Sequence, residues 1–136
     1  RPAGALVRRV RGVGAFRRLP EAASLAAANK RIHNILRQAG EAPEGGADPA
    51  LLESPAEREL AEVVATMARE VQPLLAAGEY PEALTRLAGL RESVDRFFDE
   101  VMVMVDDERV RRNRLALLAE VNGLFLRAAD VSRLQA

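Results

Sequence analysis

Apolar residues recur every three or four positions through most of this chain, a spacing that predicts α-helix wherever it is sustained. A helix over Ala3–Arg18 would bury Leu6, Val7, Val10, Val13 and Phe16, weakened by about 1 kcal/mol at each of Gly12 and Gly14. Pro20 suits the first position of a second helix running to Gln38, with Leu25, Ala28, Ile32 and Ile35 on its inner stripe. Asn29 falls on that stripe as well, and a polar group there is expected to form a structural hydrogen bond. Residues 39–54, AGEAPEGGADPALLES, hold three Gly and two Pro and predict a long loop within the domain.

Ser54 before Pro55, with Glu57 three residues on, spells a capping box for a third helix to Ala77. Its stripe is Leu60, Val63, Val64, Met67, Val71, Leu74 and Leu75; Pro73 predicts a kink in the last turn, and Gly78 ends it. Pro81 opens a fourth helix, with Leu84, Leu87, Leu90, Val94, Phe97, Val101 and Met104 stepping by three and four. The tail of that stretch, VMVM over 101–104, also alternates like a strand. Helix is the expectation, because a lone strand would leave its backbone groups unpaired. Asp106 and Asp107 are placed to cap a fifth helix to Ser132, burying Val110, Leu117, Leu118, Val121, Phe125, Ala128 and Ala129, with Asn122 and Gly123 as its weak spot. The fold class is therefore all-α: one helical bundle of about five helices over residues 1–136, with neither internal repeats nor βαβ alternation.

Length agrees with one domain, since 136 residues suffice for a core of several helices but not for a large catalytic domain besides. The absence of cysteine excludes disulfides, zinc–thiolate sites and thiol nucleophiles. Apolar runs fall far below the roughly 20 residues of a membrane span, so a soluble, cytoplasmic protein with no membrane partner is expected. No leader pattern opens the chain, and its start at Arg1 reads as a piece excised from a longer protein. The formal net charge of zero conceals an uneven distribution. Residues 1–38 carry nine Lys/Arg against Glu21 alone, residues 39–110 six against 17 acidic residues, and residues 111–136 five against two. Local cations, rather than total charge, bind phosphates, so basic ends flanking an acidic middle are compatible with a nucleic-acid face.

Catalytic constellations are missing. His33 is the only histidine, and no phosphate-binding loop, nucleophile elbow or metalloprotease motif occurs. The adjacent carboxylates Asp99–Glu100 and Asp106–Asp107 point about 100° apart on a helix and do not form an acid–base couple. His33 is expected to be exposed, on a face with Lys30, Asn34 and Arg37 where the cations could meet phosphates and Asn34 a base edge. A second basic cluster, Arg111, Arg112, Asn113 and Arg114, opposes the helix dipole in a first turn, which invites either an acidic neighbour or phosphate. Of the five aromatic residues, Phe97 and Phe98 point about 100° apart on a helix, so burying one tends to turn the other to the rim, and Phe98 is the candidate stacking platform for a splayed base.

Three ordered blocks carry a resemblance: FRRLPEAASLAAANKRIHNIL, GEYPEALTRLAGLRESVDRFFDEVMVMVDDE and RRNRLALLAEVNGLFLRAADVSRL. They look like the carboxyl end of the bacterial glycyl-tRNA synthetase beta subunit, and the resemblance covers nearly the whole chain. It implies a DALR-type anticodon-binding domain that holds glycine tRNA, beside the rest of the beta subunit and a catalytic alpha subunit. The whole synthetase would consume ATP, and this fragment would need no cofactor and carry no catalysis. Where the family reads NKRxSNIL this chain has NKRIHNIL, so His33 departs from the motif while Asn29, Lys30, Arg31 and Asn34 match it. Glycine anticodons end in two cytosines, whose edges a carboxylate with Arg or Asn can read, and Asp99, Arg112 and Asn113 are the candidates. With the two basic clusters and the aromatic candidate, the candidate RNA-contact set is Lys30, Arg31, Asn34, Arg37, Phe98, Asp99, Arg111, Arg112, Asn113 and Arg114.

Two other functions fit an all-helical chain. A chorismate mutase-like enzyme would need several arginines turned into one cavity. A subunit-docking module would show an exposed apolar patch instead.

Overall fold

The computed structural model describes residues 20–135, with side chains from 26 to 128. The expected helix Ala3–Arg18, and the side chains of Leu25 and Ala129, lie outside the described residues. Five α-helices follow in order: α1 Pro20–Ala39, α2 Pro55–Ala76, α3 Tyr80–Ala88, α4 Leu90–Glu100 and α5 Glu108–Gln135, and there is no strand among the described residues. Helix α2 packs on α3, α4 and α5, and α1 covers α4 and α5 from another side. Ile32, Leu60, Leu87, Leu90, Phe97, Leu115, Leu117 and Leu118 are fully buried between them. Each stabilises the fold by about 1.5–3 kcal/mol relative to exposure.

The local signals for α2 appear as expected. Glu57 N–H donates to Ser54 Oγ (3.2 Å) while Ser54 N–H donates to Glu57 Oε1 (3.1 Å), which closes the capping box. Pro73 lies inside the last turn, and the helix continues unbroken to Ala76.

The fourth expected helix is two. Gly89 separates α3 from α4, its N–H bonding back to Arg86 O at 3.0 Å. A Cβ at Gly89 would lie 3.1 Å from that oxygen and 3.4 Å from Met67 Cε, so the glycine permits a close pass against α2. The backbone at the break stays right-handed (φ −67°, ψ −13°), which keeps Leu84, Leu87, Leu90 and Val94 on one buried line across it.

Helix over 101–104 is overturned. Val101 N–H makes the last helical bond, to Phe97 O at 2.8 Å, and its backbone is extended (φ −121°, ψ 126°). Beyond it Val101 and Val103 are buried while Met102 and Met104 are 71% and 54% exposed, so Met104 does not face the core. Side chains supply part of the pairing that an extended segment needs. An Arg114 N–H donates to Met102 O, and Arg111 Nη1 donates to Val105 O (3.1 Å) and Asp106 O (3.4 Å). Guanidinium groups thus serve carbonyls that a partner strand would otherwise pair.

Asp107, not Asp106, caps α5: its Oδ1 accepts from Arg109 N (3.0 Å) and Val110 N (3.2 Å). The loop between α1 and α2 is stapled to α5. Asp48 N–H donates to Asn113 Oδ1 (2.6 Å), Asn113 Nδ2 donates back to Asp48 O (3.2 Å), and Ala47 N–H donates to Glu120 Oε1 (2.9 Å). Asn29 is half-buried as its stripe position implies, but its Oδ1 is buried without a hydrogen-bond partner, so the expected structural bond is not formed there.

Candidate nucleic-acid interface

The basic residues of α1 lie close together on one exposed helix surface. Three arginines of the middle segment are neutralised at home, Arg86 by Glu70 and Glu82, Arg91 by Asp95 and Arg96 by Glu59 and Glu100, whereas Arg58 and Arg69 hold only a carbonyl and a hydroxyl. The Glu70 hydrogen bond, with that of Glu82, holds the Arg86 guanidinium pKa above its usual value. Among the described residues no carboxylate lies within ion-pair distance of the exposed Lys30, Arg31 or Arg37. Lys30, Asn34 and Arg37 share one helical stripe, with exposed His33 beside them and Asn34 half-buried.

Arg31, Ile35 and Gln38 form the neighbouring stripe, which meets the end of α4. Arg31 Cζ lies 4.1 Å from the centroid of the Phe98 ring, a cation–π stack worth about 0.5–1 kcal/mol at an exposed site. Phe98 is itself fixed by Phe97, fully buried and edge-on to it, with centroids 5.8 Å apart and planes at 75°. The expectation that one ring is buried and the other reaches the rim matches the geometry. Next to the stack, Ile35, Gln38, Met102 and Met104 line an open pocket of about 310 Å³ between α1 and the extended segment. Asp99 is exposed on α4 and outside this pocket.

The four residues of the second basic cluster separate. Arg114 is buried, with Nη2 2.9 Å from Glu57 Oε1 and 3.2 Å from Glu53 Oε1; Asn113 is buried on Asp48; Arg111 holds carbonyls of the segment before α5. These three are occupied by internal partners, because a helix start packed under an irregular loop must satisfy that loop's backbone. Arg112 alone is exposed, with Nε 3.3 Å from Glu41 Oε1. That Glu41 oxygen has no aligned hydrogen bond, which makes the contact an ion pair only. Gln38, Met102 and Met104 line this pocket and are not among the residues that periodicity and charge single out. The alternation of Val and Met over 101–104 was the available signal, since it turns both methionines the same way.

A larger pocket, about 580 Å³, opens between the 42–46 loop, α2 and α5. Its rim mixes Glu44 and Glu120 with Arg127, a charge balance that does not select phosphate. Arg114 is the only buried arginine among the described residues, so no cavity with several arginines is present there, and no three His, Asp or Glu side chains among them could hold a metal ion. No helix among them is long and apolar enough to cross a membrane.

A family model described as the DALR anticodon binding domain matches residues 25–131. The chain is 56% identical over 128 residues to the glycine–tRNA ligase beta subunit of Pseudoalteromonas translucida (strain TAC 125), covering 94% of this chain and 19% of that one. The beta subunit of Marinobacter nauticus is also 56% identical over 128 residues, with 93% and 18% covered, and that of Aeromonas salmonicida 56% over 129 residues, with 94% and 19%. The chain thus spans about a fifth of the length of the curated relatives it matches.

Proposed function

The chain belongs to the DALR anticodon binding domain family, and we propose on that premise that it is the part of a cytoplasmic glycine–tRNA ligase beta subunit that grips the anticodon of glycine tRNA. Joining glycine to the tRNA at the expense of ATP would fall to the assembled enzyme, with an alpha subunit as partner. The observation that carries this reading is the stack of Arg31 on Phe98, because it joins the cationic stripe of α1 to the α4 rim in one surface. Lys30 and Arg37 neutralise backbone phosphates of the anticodon loop, Asn34 and Asp99 offer hydrogen bonds to base edges, and Arg112 extends the positive field towards α5. An anticodon loop suits such a surface, since its bases are unpaired and can be splayed onto side chains.

Titrating the chain with glycine tRNA, and with a version in which the two anticodon cytosines are replaced, tests this. Tighter binding of the unaltered tRNA is expected; equal affinity for both overturns anticodon reading. A second reading, docking on another part of the subunit or on the alpha subunit, draws on the exposure of Met102 and Met104.

A further inference from the structure

We propose that the pocket between α1 and the extended 101–105 segment takes one unpaired nucleobase, stacked on the Arg31–Phe98 pair and read at its edge by Gln38. This rests on the anticodon-binding reading and assigns it a subsite built by residues other than Asp99, Arg112 and Asn113.

Size, charge and wall chemistry support it. A volume of about 310 Å³ is at the small end of ligand pockets, suited to a single base rather than a helix or a peptide of several residues. One face is a guanidinium lying on an aromatic ring, and a base is a flat π-system that stacks on either. Met102 and Met104 are unbranched and polarizable, so they can close on the flanks of a planar ligand of either base size. No carboxylate among the described residues lines the pocket, and Lys30 and Arg37 stand on the adjacent stripe, where the phosphates flanking an inserted base would run.

The wall is preorganised. Arg114 is anchored on fully buried Glu57 and draws the Met102 carbonyl inward, and Val101 and Val103 sink into the core on either side. Both methionines are thereby held outward along the same edge, although exposing them costs apolar hydration. Gln38 closes the end of α1 and brings an amide with both a donor and an acceptor, the pair that a cytosine or purine edge requires. A purely apolar docking surface would have no use for a guanidinium–aromatic stack beside that amide.

The test uses an anticodon stem-loop carrying the glycine anticodon and a single abasic nucleotide stepped through the loop. Against the unmodified chain, one abasic position is expected to lower affinity about tenfold, the order of one stacked base. In Met104→Ala, Gln38→Ala and Phe98→Leu the intact probe should bind more weakly, and the same abasic position should then cost nothing more. The dependence on salt should stay as in the unmodified chain. Variants that bind every probe as the unmodified chain does overturn the pocket, while a loss in Lys30→Glu with Arg37→Glu keeps the anticodon reading. Equal weakening towards intact and abasic probes also overturns it. So does a loss of association with the alpha subunit at unchanged RNA affinity, which would assign the methionines to protein docking. Failure of the unmodified chain to bind any probe overturns both readings.

Discussion

Arg114 of α5 and Glu57 of α2 form an ion pair at 2.9 Å in which the carboxylate residue is fully buried and the arginine 7% exposed. Glu57 Oε1 also accepts from the Ser54 backbone, so one oxygen caps α2 and holds α5 at once. Through Arg114 the same group reaches Met102 O, linking the core to the wall of the proposed base pocket. Removing one member strands a buried charge. Arg114→Ala is expected to destabilise the chain by about 3–5 kcal/mol in denaturant unfolding, more than any exposed arginine. Because Glu57 Oε2 and Arg114 Nε are buried without partners, the pair is incompletely satisfied. Replacing both, as Glu57→Leu with Arg114→Met, should therefore cost less than the sum of the single changes. Additive losses would contradict the coupling.

Asn113 supports the loop rather than the surface. Its amide exchanges two hydrogen bonds with the Asp48 backbone, at 2.6 and 3.2 Å. Asn113→Ala should lower stability by about 1–3 kcal/mol, since the Asp48 groups lose their partners in a partly buried place. Hydrogen exchange at the Asp48 amide should accelerate while affinity for the anticodon stem-loop is retained. A selective loss of RNA affinity with exchange unchanged would return Asn113 to the interface.

The elements that sequence predicts well here are those whose cause is local. Ser54 and Glu57 are three residues apart and contain their own capping box; Pro81 marks a helix start that appears within a residue. Gly89 was hidden because a right-handed break preserves the three-and-four spacing from Leu84 to Val94. The extended 101–104 segment was hidden for another reason: its Met102 carbonyl is held by the Arg114 guanidinium, and the Val105 carbonyl just beyond it by Arg111, which a rule about strands cannot see. The interface depends on still more distant pairs. Arg31 and Phe98 are brought together only by the packing of α1 on α4, and the roles of Asn113 and Arg112 diverge because one faces the loop and the other solvent.

Gly46 is held in a left-handed conformation (φ +80°), and a Cβ there would run into the Glu120 carboxylate. That carboxylate accepts from the next residue, Ala47, and so fixes the loop. Gly46→Ala is expected to destabilise by more than about 1 kcal/mol, because neither the backbone angle nor the space suits a side chain. Combining it with Glu120→Ala should relieve the clash but not the backbone strain, restoring only part of the midpoint shift in thermal unfolding. Full restoration would show that the left-handed angle carries no cost.

Lys30 and Arg37 should be separable from Arg112 by salt. The first two have no ion-pair partner among the described residues, so a phosphate binding them would release counterions without first breaking an internal contact. Arg112 already faces Glu41 at 3.3 Å and would exchange one anion for another. Lys30→Glu and Arg37→Glu are each expected to weaken binding of the anticodon stem-loop at low salt and to lower the slope of log affinity against log salt by about 0.7–1. Arg112→Glu should lower the slope less, and its stability should fall by no more than about 1 kcal/mol, the ordinary worth of an exposed pair. If Arg112→Glu gave the largest change in slope and the α1 reversals gave none, the RNA path would have to run along the start of α5, away from the Arg31–Phe98 stack.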